Sequence, residues 1–247
     1  MVAVADVERI RGAEVWRLAT EENRRLAAAL AELDDEAWGR PTDCDRWTVA
    51  DLARHVLGAL EAQASPKELI HQFRRGLPLN REIDSHHWVD GLNEIQVRER
   101  SGLSPGELVE RIAAMGPKAV AGRRRTPWPV RSAPIPFGPP IGWQPLTYLL
   151  RVGFTRDFWM HRIDLSRAVG ATPELTPEHD GRLVADIVAE WAAVHGQPFR
   201  LELTGPAGGR FEQGATYETT TVDAVEFARI LSGRAQGAGV LAHPLPL

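Results

Sequence analysis

Three side chains that can ligate metals, His55, Asp157 and His161, stand where a helical pattern calls for apolar residues. Burying such polar groups costs several kcal/mol each, roughly, unless partners satisfy them. Ligation of one shared cation would supply those partners, and metal sites inside helix bundles are built in this way. The three residues are therefore candidate metal ligands.

The pattern around His55 predicts a helix that begins after Thr48. Thr48 and Asp51 have the spacing of a capping box. The positions i, i+3, i+4 and i+7 are then occupied by Leu52, His55, Val56 and Ala59. His55 should therefore point to the same side as its apolar neighbours. A core histidine bonded to a carbonyl group is the alternative interpretation.

A second helical pattern carries Asp157 and His161. Spacings of three and four connect Leu150, Phe154, Asp157, His161, Leu165 and Ala168. Because Asp157 and His161 are one turn apart, their side chains can converge on a single atom. They could also pair only with each other, and the sequence leaves both interpretations open.

Other chemically capable residues carry weaker signals. The single cysteine, Cys44, excludes an intramolecular disulfide and a cysteine-based zinc cluster, and acidic neighbours disfavour a reactive thiolate, so packing is its favoured role. The adjacent His86 and His87 would diverge by about 100° on a helix, so at most one could join a core site. The only basic run, residues 123–125, is interpreted as a solvated loop, with a role in holding an anionic substrate as the alternative.

Composition limits the classes of function. The chain has 247 residues, 43% of them hydrophobic, and a formal charge of −4, without an apolar run near the roughly 18 residues of a membrane span. We therefore expect a soluble globular protein with neither nucleic acid nor a membrane as partner. No basic-then-apolar segment opens the chain, which predicts a cytoplasmic location. Abundant alanine and a strong preference for arginine over lysine suggest a GC-rich genome.

The sequence predicts helices first and a mixed segment last. Helices are predicted from about Asp6 to Leu33, from Thr48 toward Pro66, over residues 81–100 and from Ser104 to about Ala121. Seven prolines between Thr126 and Pro145 predict a long loop without regular structure, in which Trp128, Phe137 and Trp143 could line a pocket or only anchor the loop. After Gly170 we predict a helix over residues 183–194, strands over 199–203 and 216–222, and a final helix from Asp223 to Gly233.

Several of these blocks resemble the mycothiol-dependent maleylpyruvate isomerase family. The matching blocks are Trp38-x-x-Pro41-Thr42-x-Cys44-x-x-Trp47-Thr48-Val49-x-Asp51-Leu52-x-x-His55, Asp90-x-x-Asn93 and Arg156-Asp157-x-x-x-His161-x-x-Asp164. Two later blocks, Asp223-Ala224 and Leu231-Ser232-Gly233-Arg234, look like the family's C-terminal module. The resemblance implies a mainly α fold: a DinB-like four-helix bundle over residues 1–172, then a small α/β, sterol-carrier-like domain over residues 173–247.

The resemblance also implies the site. Members of this family bind a divalent metal, usually taken as zinc, and the ligand positions correspond here to His55, Asp157 and His161. Asp157 is one methylene shorter than the family's usual Glu. Asp164 could orient His161, with a helix-surface carboxylate as the alternative. Arg234 is the candidate partner of a substrate carboxylate, with an exposed helix-end arginine as the alternative.

The implied activity is that of an enzyme with mycothiol as cofactor. Three protein ligands leave a coordination position open, where a low-molecular-weight thiol would lose its proton and become a nucleophile. The thiolate would then isomerise a small electrophilic substrate or be transferred to it. Mycothiol is confined to actinobacteria, which agrees with a GC-rich genome. A non-catalytic metal- or ligand-binding protein and a metal-water hydrolase remain as alternatives, and the sequence leaves monomer and homodimer open.

Overall fold

The computed structural model describes residues 1–44, 46–85, 87–215 and 218–247, so predictions on His86 and on the start of the strand at 216–217 lie outside it. The helices are α1 (Ala13–Ala31), α2 (Val49–Ala64), α3 (Pro66–Glu82), α4 (Trp88–Arg98), α5 (Pro105–Arg125), α6 (Trp128–Arg131), α7 (Leu146–Tyr148), α8 (Phe154–Val169), α9 (Arg182–His195) and α10 (Ala224–Leu231). The strands are β1 (Val2–Ala3), β2 (Pro134–Pro136), β3 (Trp143–Pro145), β4 (Phe199–Thr204), β5 (Gly209–Gln213) and β6 (Thr219–Asp223). The predicted fold class, mainly α with a small α/β part, is confirmed.

The chain divides into two compact units. The helical unit consists of Ala19–Pro127 and His161–Thr172, and the sheet unit consists of Met1–Leu18, Trp128–Met160 and Pro173–Leu247. Neither unit is continuous in sequence, and the boundary after residue 172 stays a prediction. Within the described ranges, no helix combines the length and apolar character needed to cross a membrane.

The capping box predicted at Thr48 starts α2. The Thr48 hydroxyl accepts a hydrogen bond from the Asp51 N–H, and the Asp51 carboxylate accepts one from the Thr48 N–H. Ser65 then caps α3, with Pro66 in its first turn; this helix was not predicted, although it repeats the pattern recognised at Ser104. In the helical unit, α2 packs against α3, α4 and α5.

Two glycines let α3 and α4 approach closely. A Cβ atom on Gly91 would lie 2.2 Å from the Gly76 carbonyl oxygen, and one on Gly76 would lie 2.7 Å from the Gly91 oxygen. Asn80 spans the same contact: its Oδ1 accepts from the Gly91 N–H at 2.7 Å and its Nδ2 donates to the Trp88 carbonyl at 3.2 Å. The contact therefore leaves no space for a side chain at either position.

The basic run is not a loop. Residues 123–125 form the last turn of α5, and Arg123 is buried, so the solvated-loop prediction was wrong. Burial alone lowers the pKa of the Arg123 guanidinium to about 9, because desolvation disfavours its charged form.

The prediction of no regular structure between Thr126 and Pro145 was also wrong. The segment contains α6 and an antiparallel hairpin of β2 and β3, in which Ile135 pairs with Gln144. Prolines are tolerated because both strands are edges, where a missing N–H donor breaks no ladder. Trp128 and Trp143 are each 68% exposed, so neither ring lines a buried pocket, whereas Phe137 packs edge-on against Tyr148.

A mixed four-stranded sheet, in the order β1-β5-β4-β6, organises the sheet unit. Strand β4 is antiparallel to β5 and parallel to β6, and β1 is parallel to β5 through Val2 and Phe211. The predicted helix start near Asp6 was wrong, because Val4–Asp6 form only a short 3-10 turn and α1 begins at Ala13. Trp191 of α9 packs against Phe199 and Phe227, with ring centroids 5.0 and 5.3 Å away.

A buried charge cluster joins the beginning of α8 to α9. Arg156 Nη2 donates to Asp186 Oδ2 at 2.7 Å, and Arg156 Nη1 lies 2.9 Å from Glu190 Oε2. Arg9 reaches the same two carboxylates at 2.8 Å each, and the Tyr148 hydroxyl donates to Glu190 Oε1 at 2.8 Å. Because Arg156 and Asp186 are fully buried, their charges depend on this pairing.

Candidate metal centre

Two of the predicted ligands lie side by side in the helical unit. His55 on α2 and His161 on α8 are both 5% exposed. Their ring centroids are 4.9 Å apart at an interplanar angle of 76°, and each presents a ring nitrogen within 4.8 Å of the other. Packing of the helices has therefore joined two histidines that are far apart in sequence.

The third predicted ligand, Asp157, lies one turn before His161 on α8 and is half-buried. Side chains four residues apart on a helix project from the same face, as the spacing predicts. The division between the sheet unit and the helical unit falls between Met160 and His161. That Asp157 is a metal ligand together with His55 and His161 stays a prediction.

Asp164 forms a hydrogen bond with the Nδ1 atom of His161. Its Oδ2 lies 3.2 Å from His161 Nδ1, and the carboxylate is fully buried, so it is not a helix-surface group. A carboxylate accepts a hydrogen bond from an imidazole N–H, so Asp164 favours the proton on Nδ1, which leaves the lone pair of Nε2 for a metal. The Cys44 thiol donates to the same Oδ2 at 3.4 Å and lies 3.8 Å from His161 Nδ1. No local sequence pattern predicted this proximity of Cys44 to His161.

Gln96 of α4 forms the corresponding hydrogen bond with the Nδ1 atom of His55. Its Oε1 lies 2.8 Å from His55 Nδ1, and both side chains are buried. His55 thus does bond a carbonyl oxygen, as the alternative interpretation required, but the bond occupies only Nδ1. Gln96 was not predicted as a site residue, although it interrupts an apolar stripe of Leu92 and Ile95 in the way that His55 interrupts its own stripe.

Trp47 forms an aromatic wall beside the two histidines. Its ring centroid is 4.9 Å from that of His55 and 6.2 Å from that of His161. The Thr42 N–H donates to the Trp47 carbonyl at 3.0 Å, and a bridge between Pro41 and Thr48 closes the loop at its ends. The loop that leads into α2 therefore holds the backbone of Trp47 in place.

The donor set fits a divalent cation such as zinc. Imidazole nitrogens and a carboxylate oxygen are the ligands of catalytic zinc sites, which use three protein groups and leave a position open. Here each histidine has an acceptor opposite Nδ1, the arrangement that orients an imidazole for ligation through Nε2. A site of this composition would bind a substrate atom or a thiol at the remaining position.

Arg234 lies in the sheet unit, just after α10. Gly233 adopts a φ of 81°, and the Arg234 N–H then donates to the Arg229 carbonyl at 2.8 Å, which ends the helix. Arg234 is half-buried, so it differs from a fully exposed helix-end arginine. Its catalytic role stays a prediction.

Comparison with known proteins identifies relatives of the fold and of the sequence. The fold is similar to the crystal structure of the mycothiol-dependent maleylpyruvate isomerase, with 18% identity, a TM-score of 0.56, and coverage of 95% of this chain and 93% of that chain. A mutant of that isomerase with a histidine replaced by alanine gives 17% identity and a TM-score of 0.55 at the same coverage. No curated protein matches the chain. The model of the mycothiol maleylpyruvate isomerase N-terminal domain matches residues 19–166, more than half of the chain, and the chain therefore belongs to that family.

Proposed function

We propose that this protein is a metal-dependent enzyme that uses mycothiol, a low-molecular-weight thiol, to isomerise a small electrophilic substrate or to form a thioether with it. The pairing of His55 and His161, each with its Nδ1 atom held by a buried acceptor, is the observation that carries the proposal. Membership of the mycothiol maleylpyruvate isomerase family supports the choice of thiol.

His55, Asp157 and His161 would hold the metal, which we propose to be zinc. A cation bound there supplies a Lewis-acidic position that favours the deprotonated form of a thiol. Neighbouring residues of the chain would orient the two histidine ligands. Gln96 and Asp164 would accept hydrogen bonds from the two Nδ1 atoms, and Trp47 packs against one side of the histidines.

Arg234 is proposed to pair with a carboxylate of the substrate through its planar guanidinium. We further propose that the enzyme works in the cytoplasm on a small molecule, without nucleic acid or membrane as partner. The net charge of −4 supports this proposal, because it offers no general attraction to polyanions. A homodimer and a monomer are equally compatible with the proposal.

Metal stoichiometry tests the ligand set. The wild-type protein should bind about one divalent ion per chain, and His55→Ala should lose it. Asp157→Ala should also lose metal, because two imidazoles would remain without an anionic partner, whereas Asp157→Glu should retain it. His71→Ala is the matched control, since His71 on α3 is exposed and pairs with Glu99. Full metal content in Asp157→Ala would contradict the three-ligand site.

Turnover separates the proposed enzyme from its two alternatives. Zinc-loaded protein should convert or conjugate a generic electrophile only when mycothiol is present, and calorimetry should show weaker mycothiol binding after metal removal. Equal mycothiol affinity with and without metal, and no turnover, would favour a non-catalytic binding protein. Hydrolysis without mycothiol would favour a metal-water hydrolase.

A further inference from the structure

We propose that Gln72 and Gln96 form a relay that sets the tautomer of His55, keeping its proton on Nδ1 and leaving Nε2 as the ligating nitrogen. The two glutamines are positioning residues that act through His55. The inference rests on the proposed metal-binding role of His55. The relay itself is carried by hydrogen bonds between α2, α3 and α4 within the helical unit.

The orientation of Gln72 fixes the beginning of the relay. Its Nε2 lies 2.9 Å from the Gly58 carbonyl oxygen and 2.9 Å from Glu68 Oε1. A carbonyl oxygen only accepts hydrogen bonds, and so does an ionised carboxylate. The amide nitrogen of Gln72, which is fully buried, must therefore face these two oxygens, and its Oε1 must point the other way.

Glu68 is kept in the accepting, ionised state. Burial alone would raise the pKa of its carboxyl, but the hydrogen bonds from Gln72 and Arg100 and the Arg100 charge outweigh it and lower the pKa. Arg100 Nη2 lies 3.0 Å from Glu68 Oε1 and also pairs with Glu61. The start of the relay is therefore an ion-paired carboxylate that does not donate a proton at neutral pH.

The orientation passes from Gln72 to His55 in two bonds. Gln72 Oε1 accepts from Gln96 Nε2 at 2.8 Å, so Gln96 must turn its Oε1 toward α2. That oxygen lies 2.8 Å from His55 Nδ1 and can only accept, so Nδ1 carries the proton. In a neutral imidazole the other nitrogen then holds the lone pair, and Nε2 is the ligand atom.

Gly58 reserves the space that the relay needs. A Cβ atom at position 58 would lie 2.6 Å from Cβ and Cγ of Gln96 and 3.1 Å from Cζ of Arg100. The same residue provides the carbonyl oxygen that orients Gln72. One glycine of α2, a turn after His55, thus serves both glutamines.

The relay is tested by His55 itself and by zinc affinity. In metal-free wild-type protein, nitrogen NMR of the His55 ring should show Nδ1 protonated and Nε2 unprotonated. Gln96→Leu removes the acceptor, so the proton should distribute over both nitrogens and zinc affinity should fall about 10- to 100-fold. Gln96→Glu loses the donor to Gln72 Oε1 but keeps an acceptor for His55 Nδ1, so Nδ1 should again carry the proton.

Two further variants keep the test independent of folding. Gln63→Leu is the matched control. Gln63 lies on α2 and, like the two glutamines of the relay, is buried, but it takes no part in the relay. It should leave tautomer and affinity unchanged. If Gln96→Leu does not fold, Gln72→Leu replaces it, since Gln96 would lose the partner that orients its amide and the tautomer should again become mixed.

The relay and the proposed function fail in different ways. A wild-type His55 protonated on Nε2, or a Gln96→Leu protein with unchanged tautomer and zinc affinity, would overturn the relay. If wild-type protein binds no zinc but its His55 is protonated on Nδ1 and becomes mixed in Gln96→Leu, the relay stands and the proposed metal-dependent function fails.

Discussion

Replacing Arg156 by methionine should strongly destabilise the fold where α8 begins, one residue before Asp157. Arg156 is fully buried and neutralises Asp186 and Glu190 of α9 at 2.7 and 2.9 Å. Methionine can fill much of the arginine's volume but supplies no charge. Two carboxylates would then depend on Arg9, whose side chain is 47% exposed.

The structure sets the magnitude of this loss. Removing one partner of a buried ion pair costs about 3 to 5 kcal/mol. Asp186 would keep its hydrogen bonds from Arg9 and from the Ile10 N–H, and Glu190 would keep that from Tyr148, which favours the lower end of this range. A loss of about 3 kcal/mol lowers the Tm of a chain of this size by about 6 to 12 °C.

The loss should depend on pH. In the wild type, burial alone would raise the pKa of the Asp186 carboxyl, but the charges of Arg156 and Arg9 outweigh it and lower the pKa. That contribution is present above the unfolded pKa of about 4 and is lost as pH falls below it. In Arg156→Met the pKa of Asp186 should rise, because the larger of the two charges that lower it is removed. As pH falls, Asp186 is then protonated at a higher pH in the variant than in the wild type, which removes its buried charge. The difference in Tm between the variant and the wild type should therefore shrink between pH 7 and pH 5.

Thermal unfolding followed by circular dichroism at both pH values measures this effect. Arg210→Met is the matched control, because Arg210 pairs with Glu202 on the exposed face of the sheet and its side chain is 65% exposed. An exposed pair is worth about 0 to 1 kcal/mol, so the control should lose little. An Arg156→Met protein no less stable than the control, or with a deficit that grows toward pH 5, would refute the reasoning.

Two other substitutions test the packing and the site. Gly91→Ala should lower the free energy of unfolding by about 1 to 3 kcal/mol, because its Cβ would lie 2.2 Å from the Gly76 oxygen. Gly102→Ala is the control, since a Cβ there would meet open space and should not lower the free energy of unfolding. Equal midpoints of urea unfolding for the two variants would contradict the close contact at Gly91. Asp164→Asn should weaken zinc binding about tenfold in a chelator competition, because the amide oxygen accepts from His161 Nδ1 without the carboxylate's charge, and an unchanged affinity would remove Asp164 from the site.

Local pattern was sufficient to place individual residues on helix faces. The capping box at Thr48 and the spacing of Leu52, His55 and Val56 predicted α2 and the burial of His55, and both are confirmed. The i, i+4 spacing likewise put Asp157 and His161 on one face of α8. These inferences succeed because helix periodicity is a property of consecutive residues.

Local pattern failed where neighbours in space override it. Seven prolines predicted a loop where β2 and β3 pair, because edge strands tolerate residues that cannot donate. A helix was predicted from about Asp6, yet α1 begins at Ala13, and the Ile10 N–H before it donates to the Asp186 carboxylate of α9 instead of to a helical carbonyl. Arg123 was expected in solvent, although the helix that carries it continues and buries it.

The sequence by itself determined which side chains could serve a metal site: their types, their helix faces and the absence of a second cysteine follow from composition and spacing. Only the tertiary structure decided what surrounds them. It placed His55 beside His161, buried Asp164 beneath His161 and brought Gln96 and Gln72 from two other helices behind His55. Periodicity states which face of a helix is buried, but the partner across that face depends on how helices pack, and no local pattern encodes that choice.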